Sequence, residues 1–125
     1  MREGEDKEPS GGRGSQISPA AFPQFKPDTY FDRREMNTIL SVYGRKVAEG
    51  EWRDYAIDQD RDEAVFSIFR RNSETPLYRI VKKPQLARRQ GAYAVLAAGG
   101  MILRRGHDLA QVLRVLMRKP ALMAI

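Results

Sequence analysis

Few side chains in this sequence could carry bond-making chemistry. His107 is the only histidine, and it stands directly before Asp108. A His-Asp pair is how an oriented general base is built, but the dyad must act on a nucleophile, and no neighbouring residue supplies one. Asp108 is also the natural N-cap of a helix opening at Leu109, which makes His107 simply the residue before the cap. Cysteine is absent, which removes thiol nucleophiles, disulfides and thiolate metal sites. One histidine without cysteine does not make a zinc or blue-copper centre. Asp54, Asp58, Asp60, Asp62 and Glu63 gather as hard-cation ligands do, yet they lack the glycine and final glutamate of a calcium loop. Around a tight turn such carboxylates keep the turn soluble and pair with nearby arginines. Gly12 and Gly14 lack the preceding strand and following helix that a phosphate-cradling loop needs. These residues point to a non-catalytic protein with no cofactor and no metal.

Binding is better supported. Net charge is +6, unevenly distributed. Residues 28–63 hold six basic and ten acidic side chains, whereas residues 64–125 hold twelve basic and only Glu74 and Asp108 as acids. Such asymmetry speaks to partners, an acidic protein surface or a polyanion, rather than to fold. Arg70, Arg71, Arg79, Lys82, Lys83, Arg88, Arg89, Arg104 and Arg105 are interleaved with Phe66, Phe69, Tyr78 and Tyr93. The candidate binding patch drawn from these is Phe69, Arg71, Tyr78, Arg79, Lys83, Arg88 and Arg89. Basic groups beside aromatics on a sheet can hold phosphates and stack bases. The run Val65-Phe66-Ser67-Ile68-Phe69, however, lacks the glycine of the commonest sheet-based RNA signature. A protein partner is the first expectation, and RNA or DNA binding through the same surface is the second.

The elements that must position these groups are legible in order. Residues 1–27 are a polar, glycine-containing tail expected to be disordered, although Phe22 and Phe25 among prolines suggest an extended piece that docks on its own domain or serves as a ligand for another protein. Asp32 with Glu35 three residues on predicts a capping box, and Phe31 with Met36 a hydrophobic staple. Met36, Ile39, Leu40, Tyr43 and Val47 then predict an apolar helical stripe that ends at Gly50, interrupted by Gly44. Residues 52–83 contain three β-rich runs separated by turn-formers, which predicts an antiparallel meander. Pairing Arg71 with Leu77 would set Phe69 opposite Arg79, and would leave the Ile68–Ile80 side for burial. Gln85 to Gln90 suits one helical turn stopped by Gly91. Gly99-Gly100 between apolar runs predicts a second hairpin with both glycines at positive φ, with a helix through the alanine-rich stretch as the alternative. A second helix is expected from Leu109, with Asp108 and Gln111 as a capping box and Arg118, Lys119 and Pro120 at its end.

The fold class is therefore α+β: an N-terminal helix, a three-strand meander plus a hairpin, and a C-terminal helix. The single domain spans residues 28–119, with a short apolar tail at 120–125. The longest apolar run, residues 92–98, is too short to span a bilayer, and residues 1–16 are almost wholly polar. A cytoplasmic protein with no membrane association is expected.

Several stretches taken together resemble a family of short bacterial proteins classed as a domain of unknown function. They are Tyr43-Gly44-Arg45, Glu51-Trp52-Arg53-Asp54-Tyr55, Phe66-Ser67-Ile68-Phe69-Arg70-Arg71, Leu77-Tyr78-Arg79-Ile80, and the run from Arg105 to Leu113 that reads Arg-Gly-His-Asp-Leu-Ala-Gln-Val-Leu. The resemblance covers about residues 30–117. It implies a bacterial, cytoplasmic protein and assigns no activity, cofactor or catalytic residue.

Overall fold

The computed structural model describes residues 27–70 and 75–117. The expectations for the N-terminal tail, for Arg71 and its loop, and for residues 118–125 lie outside the described residues.

Helix α1 (Arg33–Ala48) opens as the sequence predicts. The Glu35 N–H donates to Asp32 Oδ1, and the Asp32 N–H donates to Glu35 Oε1, each at 2.8 Å. Phe31 is buried and Met36 packs against the core, the two halves of the staple. At the other end the Gly50 N–H donates to the Val47 carbonyl and the Glu51 N–H to that of Lys46, a Schellman ending. The buried stripe differs from expectation. Ile39 is fully buried, with Met36 and Tyr43 packed beside it, but Leu40 and Val47 are exposed. The face turned inward instead runs through Glu35, Ile39, Val42 and Lys46. Two charged residues can occupy it because each finds partners, so the helix sits rotated from the orientation that apolar spacing alone would choose.

Strands β1 (Asp54–Gln59), β2 (Ala64–Phe69), β3 (Tyr78–Lys82), β4 (Tyr93–Ala97) and β5 (Ile102–Gly106) form one antiparallel sheet in the order β1-β2-β3-β4-β5. The meander and the second hairpin are thus joined, through the pairing of β3 with β4. The β2–β3 register is two residues away from the expected one: Ser67, not Phe69, faces Arg79, and Phe66 faces Ile80. The observed register makes two large apolar side chains direct neighbours at the centre of the core, where the expected one set Phe66 against Lys82. A two-residue shift keeps every side chain on its face, so the Ile68–Ile80 side is the buried one, as expected.

The β4–β5 turn needs only one left-handed glycine. Gly100 has φ +92° and Gly99 is not at positive φ. The Gly100 N–H donates to the Ala97 carbonyl and the Ala97 N–H to that of Met101, the pattern of a three-residue loop with a glycine bulge. Between β3 and β4, Pro84–Leu86 form a 3-10 turn that closes on Gly91. Gly91 has φ +106°, and a Cβ there would lie 2.2 Å from the backbone of Gly106, so only glycine lets this connection reach the end of β5.

Helix α2 is shorter than expected. It covers Leu109–Leu113 and tightens into a 3-10 turn at Arg114–Met117. The Asp108 carboxylate accepts the Gln111 N–H at 3.3 Å, one half of the expected box. Both helices lie on the face of the sheet that carries Phe66, Ile68, Ile80 and Val95, and Ile39, Leu109, Val112 and Leu113 complete this core. An aromatic cluster extends it: Tyr55 stacks on Phe66 at 4.7 Å, Tyr43 meets Tyr55 edge-on at 5.0 Å, and Trp52 lies 6.2 Å from Tyr78. No helix among the described residues is long and apolar enough to cross a membrane.

Two glycine substitutions should act in opposite directions in urea denaturation. Gly44 lies exposed inside α1 with open space around a built Cβ, so Gly44→Ala should stabilise the fold by about 0.5–1 kcal/mol. Gly91→Ala should destabilise it by about 1–3 kcal/mol from the left-handed backbone alone, before the clash with Gly106 is counted.

Candidate functional site

The strand register divides the candidate patch. Residues paired across the sheet share a face, so Val65, Ser67 and Phe69 of β2 lie with Arg79 and Val81 of β3 and with Ala94 and Leu96 of β4, on the side away from the helices. Lys83 continues that side beyond β3, where its ammonium stands 3.7 Å from Glu63. Phe69, Arg79 and Lys83 therefore share a face, Phe69 beside Arg79 and Lys83 at the far end of the ladder next to Glu63. Tyr78 is not: it pairs with Ile68 on the helix side and packs against the core. Arg88 and Arg89 are exposed in the connection between β3 and β4. Phe66 and Tyr93, two more aromatics that alternate with basic residues in the sequence, also face the helices. On the outer face Ser67, Val81 and Ala94 are buried, and Val65, Phe69, Arg79 and Leu96 are half-buried. Arg79 lies between Ser67 and Leu96 and has no carboxylate partner among the described residues.

The acidic cluster is mostly turn structure. Asp60 Oδ1 accepts the N–H groups of Asp62 and Glu63 at 2.8 and 2.9 Å and organises the β1–β2 turn. Those two bonds favour the ionised form and hold the Asp60 carboxyl below its ordinary range. The incoming chain is tied to the same turn, with the Thr29 N–H donating to the Asp60 carbonyl and the Thr29 hydroxyl to that of Arg61. Among the described residues no three His, Asp or Glu side chains are grouped to hold a metal ion.

The densest polar constellation joins residues far apart in the sequence, which local patterns do not connect. Glu35 Oε1 accepts the Asp32 N–H at 2.8 Å and Lys82 Nζ at 2.7 Å, while Oε2 accepts the Tyr93 hydroxyl in a short bond. Lys82 also donates to the Tyr30 carbonyl at 3.0 Å. The Tyr93 hydroxyl is held well above its ordinary pKa, first by burial and then by its bond to the Glu35 carboxylate and the charge there. The signal was present but split between elements. Glu35 reads locally as a capping residue, whereas Lys82 and Tyr93 share their strands' alternation with Ile80 and Val95 and so must face the helix layer. Beside this network a cavity of about 490 Å³ is lined by Arg34, Thr38, His107 and Asp108 among others. His107 is exposed, and no bond joins its ring to the Asp108 carboxylate among the described residues. A carboxylate with both oxygens engaged by a lysine, a tyrosine and a backbone amide is held in a fixed position between helix and sheet.

Two further surfaces stand out. Arg53 and Arg70 line a cavity of about 640 Å³ with Val47, Glu51 and Trp52, at the end of the β1–β2 ladder. Strand β1 is an outer edge of the sheet, and all six of its residues are exposed.

A five-stranded antiparallel meander with both helices on one face defines a two-layer α+β domain. Residues 29–113 match the model of a family described as "Protein of unknown function (DUF2794)", and the chain belongs to that family. No curated protein and no solved structure matches the chain.

The network can be tested by stability alone. Glu35→Gln removes the counter-charge from a largely buried ammonium and should cost about 3 kcal/mol in chemical denaturation. Because the folded pKa of Tyr93 lies above its unfolded value, its contribution is complete below about pH 10 and is lost as pH rises further. Tyr93→Phe should flatten that alkaline fall in stability, and phenolate absorbance should show one fewer late-ionising tyrosine.

Proposed function

We propose that this is a non-catalytic binding domain that engages a protein partner through the face of the sheet away from its helices, with the basic C-terminal half contributing charge. The observation that carries this reading is Arg79, an arginine without a carboxylate partner among the described residues, set among Val65, Phe69, Val81 and Leu96. Arginine and aromatic anchors on an apolar surface are the composition of a protein-binding hot spot. The placement of Phe66, Tyr78 and Tyr93 on the helix side weighs against the alternative of nucleic-acid binding, because base stacking needs rings on the open face. Arg88 and Arg89 in the β3–β4 connection supply rim charge under either reading. The cysteine-free composition fits a reducing compartment, and the reading places the domain in the bacterial cytoplasm.

The test uses the full chain as bait, identifies what it captures at low salt, and reconstitutes binding with that purified protein. Arg79→Glu should weaken the reconstituted complex at least about tenfold while leaving the thermal midpoint unchanged, since it reverses a charge at the proposed contact without opening the core. Capture that disappears on nuclease treatment, with affinity falling steeply as salt rises, would instead establish nucleic acid as the ligand.

A further inference from the structure

The two edges of the sheet are built differently. The ladder that carries β5 is broken by a bulge between Val95 and Leu96, and β5 carries Arg104 and Arg105. Bulges and exposed positive charge are the usual means by which a sheet edge is kept from pairing with another chain. β1 has neither. Its six residues, Asp-Tyr-Ala-Ile-Asp-Gln, pair with β2 in unbroken register and include no lysine, arginine or proline. It is a regular open edge exposed along its whole length.

On the helix side of that edge lies an apolar strip. Tyr55 and Ile57 each remain 42% exposed, although their cross-strand partners Ile68 and Phe66 are fully buried. The Tyr55 ring meets Tyr43 of α1 edge-on at 5.0 Å, and Leu40 and Val47, one turn to either side of Tyr43, are 38% and 40% exposed. Leu40, Tyr43 and Val47 thus present an apolar flank of the helix beside the Tyr55 end of β1. On the opposite side of the strand stand Asp54 and Asp58, separated by Ala56. Asp54 Oδ1 accepts the Tyr55 N–H at 3.1 Å, a water-exposed bond that an incoming carbonyl can replace.

We propose that β1 receives an extended segment of a partner protein by strand addition, and that this segment alternates apolar with basic residues. The proposal rests on the protein-partner reading and adds the element that holds the partner's backbone. Cross-strand neighbours share a face, so apolar side chains of the added strand meet Tyr55 and Ile57, the residue between those two meets Ala56, and the residues flanking them meet Asp54 and Asp58. Charge selects against a second copy of β1, because two-fold pairing would bring four carboxylates onto one face of the joint.

The probe is a labelled peptide of about nine residues alternating valine and lysine, titrated into the full chain by fluorescence anisotropy. Controls are a peptide of the same composition in two blocks, and the alternating peptide with every backbone nitrogen methylated. The alternating peptide should bind at least about tenfold more tightly than either control, and Asp58→Lys and Ile57→Lys should each weaken it at least about tenfold. Both substituted positions are exposed, and an unchanged thermal midpoint confirms folding. Equal binding of the block peptide, or unaltered binding by both variants, overturns the proposal. Concentration-dependent self-association that Ile57→Lys abolishes also overturns it, in favour of a second copy. If the peptide fails while the reconstituted complex still depends on Arg79, the edge is wrong and the protein-partner reading stands. Capture that nuclease abolishes removes the reading itself, and this proposal with it.

Discussion

The fold turns on how a carboxylate is accommodated between a helix and a sheet. Glu35 lies in the first turn of α1 with little exposure, and an unpaired charge there would cost several kcal/mol. Its oxygens instead meet the Asp32 amide, the Lys82 ammonium and the Tyr93 hydroxyl, which joins the start of α1 to β3 and β4 in one set of bonds. The same side chain therefore caps the helix and anchors it to the sheet. The angle of α1 follows, because a helix held at Glu35 cannot also turn Leu40 and Val47 into the core. The rotation that exposes those two residues is the rotation that satisfies the charge.

Lys46 shows the same logic at the far end of α1. It is buried on the same stripe, eleven residues beyond Glu35, and its ammonium lies 3.5 Å from Glu49 and 3.6 Å from Glu51. The long aliphatic stem covers apolar surface while its head stays beside carboxylates. Between these charged ends sit Ile39, Val42 and Tyr43, so the helix buries an apolar middle framed by an ion-paired residue at each end. One consequence reaches the surface. The apolar residues displaced from the core, Leu40 and Val47, flank Tyr43 where it meets Tyr55 on the exposed edge strand.

The sheet then separates functions between its faces. Helix-side positions are taken by the core, and they claim most of the aromatic residues that alternate with arginines and lysines in the sequence. What remains on the other face is a smaller apolar surface around Arg79, bordered by Lys83 with Glu63. Basic and aromatic residues adjacent in sequence thus end on opposite sides of a strand, because the alternation of a β-strand places neighbours back to back.

Features that depend on a few consecutive residues are legible along the chain. The Asp32–Glu35 box, the ending at Gly50, the β-rich runs, the turn closed by Gly91 and the cap at Asp108 are local hydrogen-bonding and dihedral choices, legible wherever they occur. The face of β2 and β3 that is buried was legible for the same reason, since it follows from alternation. The β2–β3 register depends on packing in three dimensions, because sliding by two residues leaves the alternation unchanged and is settled by which apolar side chains meet across strands, here Phe66 and Ile80. The tertiary structure also decided the rotation of α1, since the partners that allow Glu35 to be buried lie 47 and 58 residues away in the chain. An apolar stripe read along one helix cannot register a counter-charge supplied from so far away, and that counter-charge, not hydrophobicity, set the orientation of the helix.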